Sequence, residues 1–496
     1  MNQSGINLRQ DIVEYRRRRM AVEGSSLGVP VPEARVVPLV PFKTDSRVIC
    51  EIKRRSPSRG SIDPELDPVT QAQGYWNAGV RHCSILTEED HFSGSLSDLI
   101  EVKSTLPSMA VLRKDFLIDL EDVDVSYRAG ADAILLIASV LDDQTLTAMF
   151  QRATDLGMQV LVEVHTYEEV LRVRPLAPPL VGINCRNLAT FTLDPLLPPV
   201  LFHGIDWPTK VVYESGIFTA FQARWIFSLG FRGILVGESV VRTPGLAVEL
   251  VQVVQKPKPL EPTNFWSMMT RRLFYLNLAG GDPSEYRGPL VKVCGITNLE
   301  DAQIVTSAGA DVLGFVFAKS PRRASLAVLR QVKELPILKV AVVVWDKMPE
   351  ASEEWDEIQE AFKEGLIDAV QLHGTETPEF CQTFHYPWYK ALRPKGPGEA
   401  ANALEFRSPR ILVDAFDPVL AGGTGKRVNG EIAQEFRQTG GLWLAGGINP
   451  ENLSEILSAY FPELVDVSSG LEQSPGKKDP QKIQAFFKEM HRVRNR

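Results

Sequence analysis

The feature that most constrains this chain is an alternation of short apolar runs with longer helical stretches. It occurs eight times and then, after an interruption, eight times again. Apolar runs without a clean polar alternation are typical of strands buried on both faces, as in parallel sheets. The first eight runs, rich in β-branched residues, occupy residues 47–54, 79–88, 109–116, 131–139, 159–166, 180–187, 210–217 and 233–239.

The second set of apolar runs occupies residues 290–297, 310–317, 338–344, 367–374, 388–394, 410–416, 441–447 and 464–470. Eight strand–helix units over about 200 residues, twice, predict an α/β protein made of two tandem (β/α)8 TIM barrels. One doubly wound sheet would rarely hold so many strands. No G-x-G-x-x-G motif follows the first strand of either half, which argues against a dinucleotide-binding fold.

The pattern divides the chain into three segments. Residues 1–255 are expected to form one barrel with an N-terminal helical extension, 256–289 a linker with a short helix, and 290–496 the second barrel. KPKPLEPTN has the composition of a linker, and FWSMMTRRLFYLNLAGG after it predicts a short amphipathic helix. Residues 6–23 predict a charged surface helix, because the N-terminus lacks the apolar core of a signal peptide.

Composition excludes several classes of protein. With 44% hydrophobic and 23% charged residues, the chain predicts a packed globular protein. A net charge of −8 argues against a nucleic-acid partner. No apolar run approaches the ~20 residues of a membrane span. The five cysteines include no C-x-x-C pair, so neither a disulfide framework nor a metal site is expected. We expect a cytoplasmic monomer with reduced thiols and without metal or cofactor.

Polar side chains at the strand ends of the first half form an acid–base set. Polar residues at the carboxyl ends of barrel strands tend to be catalytic. Charges of both signs in one mouth shift each other's pKa and allow proton transfer near neutrality. The lysine after the third strand is a candidate general acid or a candidate Schiff-base former, and the sequence does not separate the two. The set consists of Glu51, Lys53, Lys114, Glu163, Asn184, Arg186, Glu214 and Ser215.

The same strand ends carry motifs that resemble indole-3-glycerol phosphate synthase over about residues 6–255. The motifs are CEIKRRSPSRG (50–60), VLRKDF (111–116), LVEVH (161–165), GINCRNL (182–188), YESGI (213–217) and LVGES (235–239). The resemblance implies ring closure of 1-(o-carboxyphenylamino)-1-deoxyribulose 5-phosphate with loss of CO2 and water. By the match, Lys114 is the general acid on the substrate carbonyl and Glu163 the general base. Glu51 and Lys53 would assist decarboxylation and dehydration.

The resemblance also assigns binding roles in the first half. Asn184, Glu214 and Ser215 would shape the substrate site, and Arg186 would suit the carboxylate that leaves as CO2. The phosphate would be held by Lys53, Ser56 and the amides near Gly216, Gly237 and Glu238.

The second half has its own candidates at the strand ends. Cys294 ends the first strand, with Lys292 two residues before it, and a nearby ammonium would favour the thiolate. The alternative is that Cys294 is a small buried hydrophobe, as free cysteines commonly are. Asp414 ends the sixth strand, and His373 in QLHG is expected to be structural. The glycine-rich loop AGGTGKR (421–427) predicts a mobile flap.

Motifs across the second half resemble phosphoribosylanthranilate isomerase over about residues 290–490. They are VKVCGIT (291–297), FVFAKSPRR (315–323), VQLHG (370–374), KALRP (390–394), ILVDAF (411–416), GGTGKR (422–427), LAGGIN (444–449) and DVSSGLE (466–472). The implied reaction is an Amadori rearrangement of an aminoaldose to an aminoketose. Cys294 would take the C2 proton, Asp414 would be the general acid at the furanose ring oxygen, and Arg322 would bind the anthranilate carboxylate. The substrate would also meet Lys292, and its phosphate would meet Gly446, Gly447, Ser468 and Ser469.

Glycines recur at matched positions of the two halves. YESGI is followed about twenty residues later by ILVGES, and LAGGIN is followed similarly by VDVSSG. These are the seventh and eighth strand ends, where barrels often bind phosphate through backbone N–H groups and a short helix. The alternative is that each glycine only ends a strand. The paired pattern favours one phosphate-bearing substrate in each half.

The isomerase product is the synthase substrate, so the two resemblances together predict a bifunctional enzyme of tryptophan biosynthesis acting on phosphorylated, anthranilate-derived substrates. One rival is a pair of histidine-pathway sugar isomerases, which need aspartates after the first and fifth strands. Here the first strands end in Glu51 and Lys53, or in Lys292 and Cys294. The other rival is a phosphate-binding protein in which one barrel is inactive and regulatory. It predicts an eroded catalytic set.

Overall fold

Eight parallel strands close into a barrel in the first half of the chain, and eight more do so in the second half. The computed structural model describes residues 4–42, 47–56, 60–187, 192–255, 265–278, 286–345, 352–415 and 427–494. Two compact units divide near residue 259. The predicted tandem-barrel architecture is therefore confirmed. The predicted flap at 421–427, apart from Arg427, and the KPKPLEPTN segment lie outside the described residues.

The strands of the first unit alternate with its helices. In chain order they are β1 (Val48–Ile52), β2 (Arg55–Ser56), β3 (Gly60–Ser61), β4 (His82–Leu86), β5 (Ala110–Lys114), β6 (Ala133–Ile137), β7 (Gln159–Val164), β8 (Leu180–Asn184), β9 (Lys210–Glu214) and β10 (Gly233–Val236). β2 and β3 form a small antiparallel hairpin. The other eight form the barrel, in which each strand pairs with the next along the chain and β10 closes onto β1.

The helices of the first unit surround this barrel. They are α1 (Ser4–Glu23), α2 (Pro68–Asn77), α3 (Leu96–Thr105), α4 (Leu120–Ala129), α5 (Asp143–Asp155), α6 (Tyr167–Val173), α7 (Leu197–Phe202), α8 (Ala220–Ser228), α9 (Glu238–Arg242) and α10 (Leu246–Gln255). Their starts follow local chemistry: Asp119 and Asp122 form a capping box on α4, and Pro68 occupies the first turn of α2.

Helix α1 is more than the surface helix that its charges predict. Ile12 and Val13 are buried in an apolar cluster that includes Ile49, Leu112 and other barrel residues. Arg16 is buried too, and its guanidinium lies 3.1 Å from Asp115 Oδ2 and 2.6 Å from Asp122 Oδ1. The sequence shows an arginine run, and only the packing selects which arginine faces inward.

The second unit repeats the alternation. Its strands are β11 (Leu290–Cys294), β12 (Val312–Val316), β13 (Leu338–Val343), β14 (Ala369–Leu372), β15 (Trp388–Leu392), β16 (Ile411–Val413), β17 (Trp443–Ala445), β18 (Leu464–Val467), β19 (Glu472–Ser474) and β20 (Lys477–Lys478). The first eight close into the barrel, and β19 and β20 form a hairpin after it. Its helices are α11 (Phe265–Asn277), α12 (Leu299–Ala308), α13 (Leu326–Gln331), α14 (Glu353–Lys363), α15 (Pro378–Thr383), α16 (Ala400–Ala403), α17 (Gly430–Arg437), α18 (Leu453–Tyr460) and α19 (Pro480–Arg494).

Helix α11, the short helix predicted within the linker segment, packs into the second unit. Phe265 stacks on Tyr389 with ring centroids 6.2 Å apart, and Trp266 stacks on Trp443 at 5.9 Å. Tyr389 and Trp443 lie at or near the first residues of their strands. The helix therefore covers the end of the barrel where the strands begin, opposite the end that carries the candidate site. Among the helices that the structure describes, none has both the length and the apolar character of a membrane span.

Candidate active sites

A cavity with about 1020 Å³ of empty space, part of it open to solvent, lies at the carboxyl ends of the strands in the first barrel. Nearly all of the candidates predicted in this half line it, including both predicted lysines. They are Glu51, Lys53, Ser56, Lys114, Glu163, Asn184, Arg186, Ser215, Gly216, Gly237 and Glu238. Glu214 is the exception: it is fully buried beneath the cavity lining.

Strand register brings these side chains together. Asn184 pairs with Glu214 at the ends of β8 and β9, and Lys114 ends β5. Strand ends of a closed parallel barrel converge on one rim, so residues far apart in sequence share one cavity.

Lys114 lies between two carboxylates. Its Nζ donates a 3.1 Å hydrogen bond to Glu163 Oε2 and a second, short one to Glu214 Oε2. Burial alone would lower the pKa of Lys114, but the charges of Glu163 and Glu214 outweigh burial and raise it. Lys114 is thus held as an ammonium, which favours an acid over an amine nucleophile.

The two carboxylates differ from each other although both are buried. Burial, together with the neighbouring Glu163, raises the pKa of Glu214. Burial works the same way on Glu163, but Lys114 and His165 overcome it and hold the pKa of Glu163 low. Two titratable groups with pKa values pushed apart are a mark of an acid–base site.

His165, two residues after Glu163, was not among the predicted residues. Its Nε2 lies 3.2 Å from Glu163 Oε1 and its Nδ1 lies 3.5 Å from Glu169 Oε2. Burial opposes its protonation, but these two carboxylates raise the pKa of His165 to about 9. The LVEVH motif contains this histidine, yet only the fold of β7 onto α6 brings Glu169 to its other side.

The first strand contributes a second charged pair. Lys53 Nζ lies 2.7 Å from Glu51 Oε1. Gly237 on the neighbouring strand end makes room for it, because an ideal Cβ on Gly237 would lie 2.5 Å from Glu51 Oε1 and 3.1 Å from Lys53 Nζ. Glycine at 237 therefore lets backbone approach both charges.

Both barrels end their seventh strand in the same backbone conformation. Ser215 and Gly216 have φ values of 71° and 69°, and Gly446 and Gly447 have values of 93° and 62°. A serine in the left-handed region carries backbone strain, which is concentrated at functional sites. The glycine pattern read in the sequence thus corresponds to one repeated turn at the two cavities.

Apolar side chains complete the first cavity. Phe92, Phe116, Ile137 and Phe218 line it beside the charged groups. Such a wall suits the flat ring of an aromatic substrate. Sequence reasoning passed over these residues, because an apolar residue in a strand or loop carries no signal that separates cavity lining from core.

The second barrel carries a cavity with about 1840 Å³ of empty space at the corresponding strand ends. Its lining includes most candidates predicted in this half, namely Cys294, Arg322, Asp414, Gly446, Gly447, Ser468 and Ser469. Cys294 ends β11 and Asp414 follows β16, so the two lie three strands apart around the ring.

Lys292 does not line this cavity. It is fully buried, and its Nζ donates to Asp466 Oδ2 at 2.5 Å and to Gln371 Oε1 at 2.9 Å. Lys292 and Asp466 are register partners on β11 and β18, whose side chains point into the barrel. Lys292 is therefore held in an ion pair with Asp466, which is itself part of the cavity lining.

The expected lowering of the Cys294 pKa is wrong in direction. Burial raises the pKa of the thiol, and the opposing charge of Lys292 is the smaller influence. Asp466, the ion-pair partner of Lys292, also works against the thiolate, though less than burial does. Gly314 on β12 gives the sulfur its space, since an ideal Cβ there would lie 2.8 Å from Cys294 Sγ.

His373 lies in the cavity rather than only in the framework. Its Nε2 is 3.4 Å from Asp414 Oδ2, and its Nδ1 is 2.8 Å from Gln371 Nε2. Gln371 Oε1 also accepts hydrogen bonds from Lys292 and Tyr389. Hydrogen bonds therefore run from His373 through Gln371 to the buried Lys292–Asp466 pair, and sequence reasoning had assigned no role to Gln371.

Arg322 is fixed before any substrate meets it. Its Nε and Nη2 donate to Glu472 Oε1 and Oε2 at 2.9 and 2.8 Å. Within the described residues there is no cluster of His, Cys, Asp and Glu that could hold a metal ion.

Comparisons with known proteins match a family to each half of the chain. Residues 3–253 match the family model of indole-3-glycerol phosphate synthase, and residues 291–489 match that of N-(5'-phosphoribosyl)anthranilate isomerase. The chain is 32% identical over 495 residues to a multifunctional tryptophan biosynthesis protein of Phycomyces blakesleeanus, covering 88% of this chain but only 62% of that protein.

Two shorter relatives each match one half. The chain is 40% identical over 238 residues to an indole-3-glycerol phosphate synthase of Geobacillus kaustophilus, covering 45% of this chain and 89% of that one. It is 34% identical to the crystal structure of a phosphoribosyl anthranilate isomerase from Thermus thermophilus, covering 41% of this chain and all of that one, with a TM-score of 0.37.

Proposed function

Because the chain belongs to the indole-3-glycerol phosphate synthase family and carries a phosphoribosylanthranilate isomerase domain behind it, we propose that it catalyses two consecutive steps of tryptophan biosynthesis. The second barrel isomerises N-(5-phosphoribosyl)anthranilate to 1-(o-carboxyphenylamino)-1-deoxyribulose 5-phosphate. The first barrel closes that product to indole-3-glycerol phosphate, with loss of CO2 and water.

The observation that carries the ring-closure proposal is the Lys114 ammonium in the first cavity, between Glu163 and Glu214. Carbon–carbon ring closure needs a polarised carbonyl, and a positioned ammonium supplies it. Glu163, whose pKa is held low, remains a carboxylate able to accept a proton. The raised pKa of Lys114 supports the general-acid role over a Schiff base.

The other charged residues of the first cavity take the remaining roles. Glu51 and Lys53 form one pair beside Gly237 and assist decarboxylation and dehydration. Arg186 meets the departing carboxylate, and the turn at Ser215 and Gly216 meets the phosphate with Gly237 and Glu238. Glu214 acts from below the lining by holding Lys114.

The isomerase proposal is supported by Cys294 and Asp414 lining one cavity from separated strands. Cys294 takes the C2 proton and Asp414 gives a proton to the ring oxygen, so base and acid act on different atoms of one substrate. A thiol with a raised pKa forms little thiolate, but the thiolate that forms is the stronger base. Arg322 takes the anthranilate carboxylate, and the second glycine turn with Ser468 and Ser469 takes the phosphate.

A single feeding experiment tests the proposal. The purified chain is given phosphoribosylanthranilate alone, and the products are identified by mass. Formation of indole-3-glycerol phosphate supports both activities. Accumulation of the carboxyphenylamino-deoxyribulose phosphate would contradict ring closure, and no enzyme-dependent loss of substrate would contradict the isomerase and favour a barrel that only binds phosphate.

A further inference from the structure

The hairpin that follows the last barrel strand lies against the second cavity. Pro475, at the turn between β19 and β20, is part of the cavity lining. Thr297 Oγ1 donates to the Gly476 carbonyl at 2.6 Å, which ties the turn to the loop after β11. Lys482 Nζ donates to the Glu472 carbonyl at 2.7 Å and anchors the other end. The hairpin is therefore a fixed part of the site.

Glu472, the first residue of the hairpin, grips Arg322 with both carboxylate oxygens. The two parallel hydrogen bonds measure 2.9 and 2.8 Å, and the side chains are 4% and 15% exposed. A two-point pairing of this kind fixes the plane of a guanidinium as well as its position. Arg322 lines the cavity, whereas Glu472 does not.

Glu472 is itself held in place. Lys478 Nζ lies 3.1 Å from Glu472 Oε1, and it also donates to the Cys294 carbonyl at 2.6 Å. The Gly476 N–H donates to the same carboxylate oxygen at 3.3 Å. On its other side, the Arg322 side chain runs across Gly295, where an ideal Cβ would lie 2.9 Å from Arg322 Cδ. Arg322 is thus confined from two sides.

At the other end of the barrel, and without any contact to the cavity, Arg410 is paired with two carboxylates, Glu463 and Asp194. Glu463 accepts hydrogen bonds from Arg410 Nε and Nη2 at 2.7 and 3.0 Å. Both residues stand just before their strands, β16 and β18. Replacing Glu463 therefore removes a carboxylate from an arginine away from the cavity, while Asp194 stays paired with that arginine.

We propose that Glu472 is a positioning residue of the isomerase, which orients Arg322 to receive the carboxylate on the aromatic ring of the substrate. The proposal rests on the proposed isomerase function and on the carboxylate-binding role of Arg322. Glu472 itself touches no substrate. Its effect is confined to substrates that carry the carboxylate.

The test compares two substrates in the full-length chain: phosphoribosylanthranilate, and the analogue made from aniline, which lacks the carboxylate. We expect Glu472→Gln to lower kcat/KM for phosphoribosylanthranilate roughly tenfold, mostly through KM, because a charge-assisted pairing that orients a binding group is lost. We expect the aniline analogue to be turned over within about twofold of wild type. Turnover of the analogue also shows that the variant barrel is folded. Glu463→Gln is the control, and its kcat/KM for each of the two substrates should stay within about twofold of wild type.

An equal but partial loss of kcat/KM on both substrates, or no loss on either, would overturn the proposal. If Glu472→Gln is inactive on both substrates, Glu472→Asp decides: a loss confined to phosphoribosylanthranilate supports positioning, and an equal loss overturns it. In an Arg322→Gln background, Glu472→Gln should lower kcat/KM for phosphoribosylanthranilate by less than about a further twofold. The reason is that the effects of residues acting through one another are not additive. A wild-type chain that leaves phosphoribosylanthranilate unchanged would refute the proposed function itself. If the wild type is active but the Glu472 variants do not show the expected difference between the two substrates, only the positioning role of Glu472 is refuted.

Discussion

At the residue scale, the first cavity contains charged groups whose ionised forms are stabilised by their neighbours. Lys114 remains an ammonium through Glu163 and Glu214, and Glu163 remains a carboxylate through Lys114 and His165. Burying charges is costly unless they are paired, so each pair stabilises its own protonation state. Chemistry and local stability therefore rest on the same contacts.

His165 gives the first barrel a pH-dependent stability. Its pKa rises from 6.5 to about 9 in the folded chain. The folded state therefore binds this proton more tightly than the unfolded state. The resulting stabilisation is fully present below about pH 6.5, declines as pH rises, and is lost above about pH 9. We expect His165→Gln to lower the free energy of unfolding of the first barrel by about 3 kcal/mol at the low end of this pH window, and by far less at the high end.

The buried cysteines allow the free energy of unfolding to be measured separately for each barrel. Cys50, Cys83 and Cys185 report on the first barrel, and Cys294 and Cys381 on the second. Urea unfolding followed by pulsed thiol labelling and mass spectrometry gives a separate free energy of unfolding for each. The pH-dependent role of His165 would be contradicted if wild type and variant differed in the free energy of unfolding of the first barrel by the same amount at about pH 6.5 and at about pH 9.5.

Gly237 is a second prediction at this scale. We expect Gly237→Ala to reduce kcat/KM for ring closure by about 10- to 100-fold, because its Cβ would displace Glu51 and Lys53 by a sizeable fraction of an ångström. Steady-state assay of ring closure measures the loss. Gly74→Ala, in α2 with nothing within 4 Å of the added Cβ, is the control and should retain ring closure. Equal activity of the two variants would mean that Gly237 has no such role.

At the element scale, helix α1 is fastened beside the first cavity by one arginine. Arg16 pairs with Asp115, which lines the cavity, and with Asp122 at the start of α4. Asp115 is also held by Arg113 and Thr87. The helix thus contributes to the wall of a site whose catalytic groups all lie elsewhere.

We expect Arg16→Met to destabilise the first barrel by about 3 kcal/mol, because it leaves buried carboxylates with fewer partners. Arg18→Met on the same helix removes an exposed pair with Glu14 and should cost no more than about 0.5 kcal/mol. Thiol labelling of Cys50 and Cys83 in urea measures both. Similar effects of the two substitutions would contradict the buried-anchor interpretation.

Helix α11 shows how a linker-like segment becomes part of a domain. Its composition between two barrels predicts a short amphipathic helix in a linker. In the structure, Phe265 and Trp266 are buried against Tyr389 and Trp443. Burial of two large aromatic side chains is worth several kcal/mol, so the helix belongs energetically to the second barrel.

At the scale of the whole molecule, each closed barrel has its own cavity and its own complete set of candidate groups. We therefore expect Lys114→Ala to abolish ring closure and spare isomerisation, and Cys294→Ala to do the reverse. A mixture of the two variants should convert phosphoribosylanthranilate to indole-3-glycerol phosphate after a lag, as the intermediate passes through solution. Time-resolved mass spectrometry follows both steps. Failure of the mixture, with each variant active in its own step, would contradict independent sites.

The chain spans 62% of the length of the multifunctional Phycomyces protein to which it is similar. The matched residues of the family models, 3–253 and 291–489, correspond to the two barrels. Joining consecutive enzymes raises the local concentration of an intermediate only modestly. The mixture of the Lys114→Ala and Cys294→Ala variants separates that effect from direct transfer, because in the mixture the intermediate has to pass through solution.

The sequence by itself determined the two barrels, the strands that form them and most residues at their rims. It could do so because parallel strands buried on both faces leave an uninterrupted apolar pattern, and because polar residues at the ends of such strands have few structural reasons to be there. The glycine pairs were readable for a similar reason, since a left-handed turn at Gly446 and Gly447 restricts residue choice strongly.

Only the tertiary structure decided which of those residues line the cavities and which are buried beneath the lining. Glu214 and Lys292 stand at strand ends like their neighbours, yet burial places them beneath the cavities. Glu472 and Arg16 carry no distinguishing local pattern, because Arg322, Asp115 and Asp122, with which they pair, lie on other elements. The pKa of Cys294 rises although a lysine is close in sequence, because burial of the thiol outweighs the charge of Lys292, and Asp466 from the far end of the chain adds to the rise. Long-range pairing and burial set charge states, and neither is written in local sequence.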